Sequence, residues 1–128
     1  MQLRGAILFV KDFPRMRESY KDMLQVGPVN TEWVDVWARF DLGGADFALH
    51  AIPEEYARGI QISSPPQARE QNPVKLVFLV KDVSSERARL EAMGAAMLQR
   101  PWQGENDACD GVDPEGNVFQ LVSEANWH

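Results

Sequence analysis

Six side chains in this sequence have the chemistry and the spacing to meet a small molecule: Lys75, Gln120, His50, Asp46, Trp37 and Arg39. Side chains on a β-strand alternate between two faces. Read as a strand, the stretch around residue 48 puts Asp46, Ala48 and His50 on one face and Phe47 and Leu49 on the other. The stretch around residue 120 divides in the same way, with Val118, Gln120 and Val122 opposite Phe119 and Leu121. Lys75, Val77 and Leu79 share a face, as do Trp37 and Arg39. An all-apolar face belongs to a core. A face that mixes Lys, Asp, His and Gln with apolar residues reads as the lining of a cavity, because such groups are costly to bury unless they are paired or wet. Ligand pockets have that mixture, apolar walls with a few placed polar groups. Lys75 has the charge to anchor a carboxylate or phosphate; its alternative is an internal ion pair with Asp46 or another acid, or reaching to the rim. Trp37 and Trp102 either wall a flat ligand or make ordinary core or dimer contacts.

Other reactive residue types lack the company that chemistry requires. Cys109 is the one cysteine and has no activating neighbour in the sequence, so it reads as a buried strand residue. Asp107, Asp110 and Asp113 do not have the spacing of a calcium-binding loop. Glycine-rich phosphate loops, nucleophile elbows and zinc-protease motifs are absent from the sequence.

The elements that must position these residues come as a repeat. Ala6–Val10 is an apolar run that reads as a buried strand, followed by Lys11-Asp12 and a helix in which Met16, Tyr20, Met23 and Leu24 recur at helical spacing. Asp12 is placed to cap that helix, Pro14 fits its first turn, and Gly27-Pro28 marks its exit. Seventy residues on, Leu76–Val80 is again a strand, Lys81-Asp82 again follows it, and Ser84 to Met93 is again a helix stopped by Gly94. A second correspondence, at an offset of 72, aligns Asp41, Gly44, Phe47 and Leu49 with Asp113, Gly116, Phe119 and Leu121. Two ordered matches predict a duplication. The expected layout is one domain over 1–128, with modules at 1–60 and 74–124 and a polar, proline-bearing linker at 61–73. Trp33, Trp37 and Arg39 fall on the expected second and third strands of the first module, and one helical turn is expected at Glu54 to Arg58. Trp127 and His128 read as a surface or interface tail.

Composition limits the function classes. The 128 residues suit one domain, and 45% hydrophobic with 25% charged is ordinary for a globular chain. A net charge of −6 without a Lys/Arg cluster argues against nucleic acid as a partner. No apolar run has the length of a membrane helix or a signal peptide, and a lone cysteine suits a reducing compartment, so a cytoplasmic protein without a membrane partner is expected.

The opening "LFVKDFPRMRESYKDML" and the closing "DPEGNVFQLVS", within a paired chain of this length, resemble the vicinal oxygen chelate superfamily of glyoxalases, bleomycin-resistance proteins and extradiol dioxygenases. The resemblance implies an α+β fold in which two βαβββ modules form a cupped mixed sheet. It also implies a homodimer, which would cover exposed sheet edges. Metal-dependent members take ligands from the first and fourth strands of each half. On this sequence those positions are Gly5, Lys75, Ala48 and Gln120. Gly5 and Ala48 carry no ligating group, and the Lys75 ammonium opposes a divalent ion. No cofactor is therefore expected, and the residual metal site is an offset one drawing on His50 and Gln120 with Asp46. The expected function is small-molecule binding in the cupped sheet or at a dimer groove, with a degenerate metal site. The alternative is a lyase or dioxygenase of the superfamily using a non-standard ligand set.

Overall fold

A computed structural model describes residues 1–104 and 107–127. They form two compact units that divide between Gln61 and Ile62. His128, read from sequence as part of the tail, lies outside the described residues.

The first unit runs β1 (Gly5–Val10), α1 (Phe13–Leu24), β2 (Trp37–Asp41), β3 (Asp46–Ala51) and the short helix α2 (Glu54–Ala57). Its sheet has the order β1-β3-β2, with β1 parallel and β2 antiparallel to β3. Asp12 caps α1 by accepting from the Arg15 backbone N–H at 3.3 Å, and Pro14 sits in the first turn, where no N–H is needed. The helix stops at Gln25, which takes a left-handed conformation (φ 58°). Phe13, Met16 and Tyr20 are its buried side chains, and the Tyr20 ring lies 4.7 Å from that of Phe47. Ala38, Phe40, Phe47 and Leu49 are all buried and complete this core. Phe47 and Leu49 thus point to the core as their alternation requires.

The second unit runs β4 (Leu76–Val80), α3 (Val83–Ala92), β5 (Ala96–Leu98), β6 (Ala108–Val112) and β7 (Val118–Ser123), with sheet order β4-β7-β6-β5. Asp82 caps α3 through the Ser85 N–H at 2.8 Å, as Asp12 caps α1. Val83 and Leu90 bury against the sheet; Met93, which the repeat pairs with Met23, is 45% exposed at the helix end. The register repeats as well. Ala6 pairs with Phe47, and its repeat partner Leu76 pairs with Phe119.

The two modules differ in one strand. The second has the expected βαβββ order, whereas the first has three strands, not four. Where its second strand is expected, one ladder bond remains, from the Val29 N–H to the Arg39 carbonyl at 2.8 Å. Beside it the Asn30 side chain takes the role of a backbone peptide: its amide donates to the Trp37 carbonyl (2.8 Å) and its oxygen accepts from the Arg39 N–H (2.9 Å). A side chain that satisfies two edge groups of β2 removes the need for a strand there. Trp33, expected on a strand, lies in a turn with φ 55° and accepts from the Val36 and Trp37 N–H groups.

The 61–73 segment carries no regular element, and from Ile62 onward it belongs to the second unit. The Arg69 N–H donates to the Gly116 carbonyl at 2.8 Å, and Glu70 pairs with Arg100 at 2.9 Å.

Candidate functional site

The face of the second sheet opposite α3 carries the strongest polar cluster. Register puts Val77, Gln120, Asp110 and Leu98 in one row across β4, β7, β6 and β5. Asp110 lies on an interior strand and is only 1% exposed. Its carboxylate collects four partners. Oδ1 accepts from Gln103 Nε2 (2.9 Å), Lys75 Nζ (3.4 Å) and Gln120 Nε2 (3.5 Å). Oδ2 accepts from Arg100 Nε (3.1 Å) and Lys75 Nζ (3.2 Å). Burial pushes this carboxyl's pKa up, but the hydrogen bonds from Gln103, Lys75 and Arg100 outweigh it and hold the group below its ordinary value. Asp110 is therefore a fixed anion at neutral pH. The Arg100 pKa is raised, chiefly by its hydrogen bond to Glu70 and also by Asp110. The Lys75 side chain stays 39% exposed and Gln120 is half-buried, so these two are what an incoming molecule meets first. Trp102 stacks near Arg100, 5.6 Å from the guanidinium carbon, and is 72% exposed.

The corresponding face of the first sheet carries a different set. Phe9, His50 and Trp37 form one row across β1, β3 and β2, and Ile7, Ala48 and Arg39 form the next. The His50 ring lies 5.4 Å from Phe9 and 5.9 Å from Trp37. Its Nδ1 is 2.9 Å from the Ala51 carbonyl. A carbonyl only accepts, so Nδ1 carries the proton and, in the neutral ring, Nε2 is left as an acceptor. Asp46 Oδ2 accepts from Arg39 at 3.3 Å and forms an ion pair with Arg4 at the same distance, while Oδ1 is buried without a hydrogen-bond partner among the described residues.

Each sequence-assigned residue can now be placed. Lys75 and Gln120 come together, on Asp110. His50 and Trp37 come together, and Arg39 meets Asp46. The partner of Lys75 is Asp110, not Asp46. Asp110, Arg100 and Gln103 are the residues that sequence reasoning missed. A signal for Asp110 was present: a hairpin pairing drawn back from Gln120 puts it beside that residue, in the position Arg39 holds beside Ala48. Arg100 and Gln103 come from a loop with no periodicity to locate them.

The metal-ligand positions of the resembled superfamily do not fit an ion here. In the first unit, Ala48 is a methyl group and Gly5 is pressed against the Asp46 carbonyl, so a side chain at position 5 would collide with backbone. In the second, Lys75 is a cation and Gln120 is occupied as a donor to Asp110. Among the described residues, no group of three or more His, Cys, Asp or Glu is gathered closely enough to hold a metal ion. Also among the described residues, no helix is long and apolar enough to cross a membrane. Cys109 is 1% exposed, and burial raises its thiol pKa, the opposite of activation.

Comparison with known proteins places this geometry. A family model described as a glyoxalase-like domain matches residues 6–122. No curated protein matches the chain. Solved structures match over nearly its whole length. One is a glyoxalase/bleomycin resistance protein/dioxygenase family enzyme from Burkholderia phytofirmans (TM-score 0.71, 19% identity, covering 96% of this chain and 98% of that one). Another is lactoylglutathione lyase from Agrobacterium tumefaciens (0.68, 18%, 98% and 96%). A third is the genomically encoded fosfomycin resistance protein FosX from Listeria monocytogenes (0.68, 18%, 95% and 90%). At these identities the likeness is one of fold.

Proposed function

The chain belongs to the glyoxalase-like domain family, and from that premise we propose that it binds a small organic molecule on its mixed sheet faces, with a degenerate metal site. The observation that carries this reading is the buried Asp110 carboxylate, which gathers Lys75, Gln120, Arg100 and Gln103 on a face that is otherwise apolar, with Val77, Leu79, Val118, Val122, Val112 and Leu98 among its residues. A few fixed polar groups on an apolar floor orient a ligand without performing chemistry on it. Asp110 is the organising residue; Lys75 and Gln120 are the contacts. On the first unit's face the ligand contacts are His50, Trp37, Arg39 and Asp46, with the aromatic row as the apolar part.

We further propose a homodimer. Its support is that β1 and β4 are edge strands with exposed apolar side chains: Ile7 at 56%, Phe9 at 61% and Leu79 at 55%. Exposed apolar edges are association surfaces. The buried, unactivated Cys109 suits a reducing, cytoplasmic setting.

The test of the metal-free reading is elemental analysis by mass spectrometry, after incubation with Zn, Ni, Mn and Fe(II) and removal of excess ion. The expected content is near zero for every ion. A ratio near one metal per chain would overturn it and bring the lyase or dioxygenase reading forward.

A further inference from the structure

We propose that the Asp110 face selects ligands carrying a urea-type edge, N–H, C=O, N–H; this rests on the small-molecule reading above and names the ligand class for that site. A carboxylate can only accept, so the two glutamines that touch Asp110 must both turn their NH2 groups towards it. Their amide oxygens then point away from the carboxylate. Asp110 thereby converts two ambivalent amides into two acceptors of fixed sense. One of them, Gln103 Oε1, is buried and has no hydrogen-bond partner among the described residues. A buried acceptor left unpaired costs about 1–3 kcal/mol, and such a group in a folded protein calls for an explanation.

Lys75 supplies the complementary function. Its ammonium has three N–H donors and its hydrogen-bond partner among the described residues is Asp110, so it can donate to a further acceptor while remaining on the carboxylate. Lys75, Gln103 and Gln120 all contact the same oxygen, Oδ1 of Asp110, which keeps the lysine donor and the two glutamine acceptors within one small area. A carboxylate or phosphate ligand satisfies Lys75 alone and repels both glutamine oxygens and Asp110. An ammonium ligand satisfies the glutamines but opposes Lys75 and Arg100. A neutral urea satisfies all three, its carbonyl accepting from Lys75 and its N–H groups donating to Gln103 and Gln120. Gln103 Oε1 is shielded from solvent, so a ligand N–H reaches it only by displacing the side chains that cover it.

The probe is imidazolidin-2-one, compared with its 1,3-dimethyl derivative, which keeps the carbonyl and loses both N–H donors. Binding is followed by 15N–1H NMR of the full chain, reading the side-chain NH2 signals of Gln103 and Gln120 and the backbone amides of β6 and β7. A site built to pair an N–H strongly rejects the analogue that lacks it. The parent urea is expected to shift those signals and to bind at least about tenfold more tightly than the dimethyl compound. In Gln103→Leu, whose fold is checked by the same spectrum, the discrimination is expected to shrink several-fold. Gln103→Glu, which keeps an acceptor but repels Asp110, gives a second test should the Leu variant not fold, and is also expected to lose the preference. Equal binding of both ureas at these residues would overturn the inference and leave the small-molecule reading standing. Absence of any shift from the parent urea would overturn it as well. If other compounds shift the same residues, only the ligand class is wrong; if none does, the small-molecule reading falls with it.

Discussion

Asp110 is held by two cations and two amides while almost fully out of water, so its charge is stabilised by its partners alone. Removing that charge leaves Lys75 and Arg100 facing a neutral group. Asp110→Asn is expected to destabilise the protein by roughly 2–3 kcal/mol at pH 7, less than a wholly buried pair because Lys75 reaches solvent; urea denaturation would measure it. The sign with pH follows from the lowered pKa. The native carboxyl titrates below the unfolded one, so its contribution is full above the ordinary carboxylate range and is lost as pH falls through the native value. The gap between wild type and Asp110→Asn should therefore narrow in acid, and a constant gap down to strongly acid pH would contradict this. Lys75→Ala makes a different prediction. Arg100, Gln103 and Gln120 still hold Asp110, so the melting temperature should change little while ligand affinity at this face falls about tenfold or more, the loss expected for a hydrogen bond to a charged group.

Two local devices at the element scale replace regular structure, and each carries a prediction. The turn between β6 and β7 folds around Asp113, whose Oδ1 accepts from the Glu115 and Asn117 backbone N–H groups at 2.9 Å each. Gly116 there has φ 88°, and the Gln67 carbonyl packs against it. Gly116→Ala is expected to cost at least about 1–2 kcal/mol from the left-handed backbone alone, visible as a lower melting temperature. Asn30→Ala should cost roughly 1–2 kcal/mol, because the Trp37 carbonyl and the Arg39 N–H each lose a partner; faster hydrogen exchange at Arg39 would be its local signature. These devices also mark where sequence reading runs out. The helices and their aspartate caps, the inward Phe47 and Leu49, and the inward Phe119 and Leu121 were legible because period and chemistry agree there. The missing second strand of the first module was not, since a side chain standing in for a peptide leaves no periodic trace. The repeat also slips at one turn: alignment matched Gly44 to Gly116, yet the positive-φ glycine of the first module is Gly43. Lys75 and Gln120 were legible as a polar intrusion on an apolar face. Their organiser, Asp110, was hidden among acidic neighbours on either side of a turn.

Across the whole molecule, the two units share a scaffold and differ in where their charges sit. The same sheet position holds Arg39 beside Ala48 in one unit and Asp110 beside Gln120 in the other, and each is neutralised from a different place: Arg39 by Asp46 on β3, Asp110 by Lys75 just before β4. Both faces carry an ion pair next to apolar residues. If the edge strands pair in a homodimer, light scattering should give twice the chain mass, and Phe9→Glu should reduce it towards that of a single chain. The central claim, that the Asp110 face is a metal-free binding surface, is tested most directly by NMR. The chelator-treated, 15N-labelled protein would be screened against a panel of neutral, cationic and anionic aromatic and amide compounds. The account predicts ligands whose shifts cluster on residues 75–79, 108–112 and 118–122, and whose binding is weakened in Lys75→Ala. A panel that leaves those residues unmoved, or that moves them only when a divalent metal is added, would contradict it.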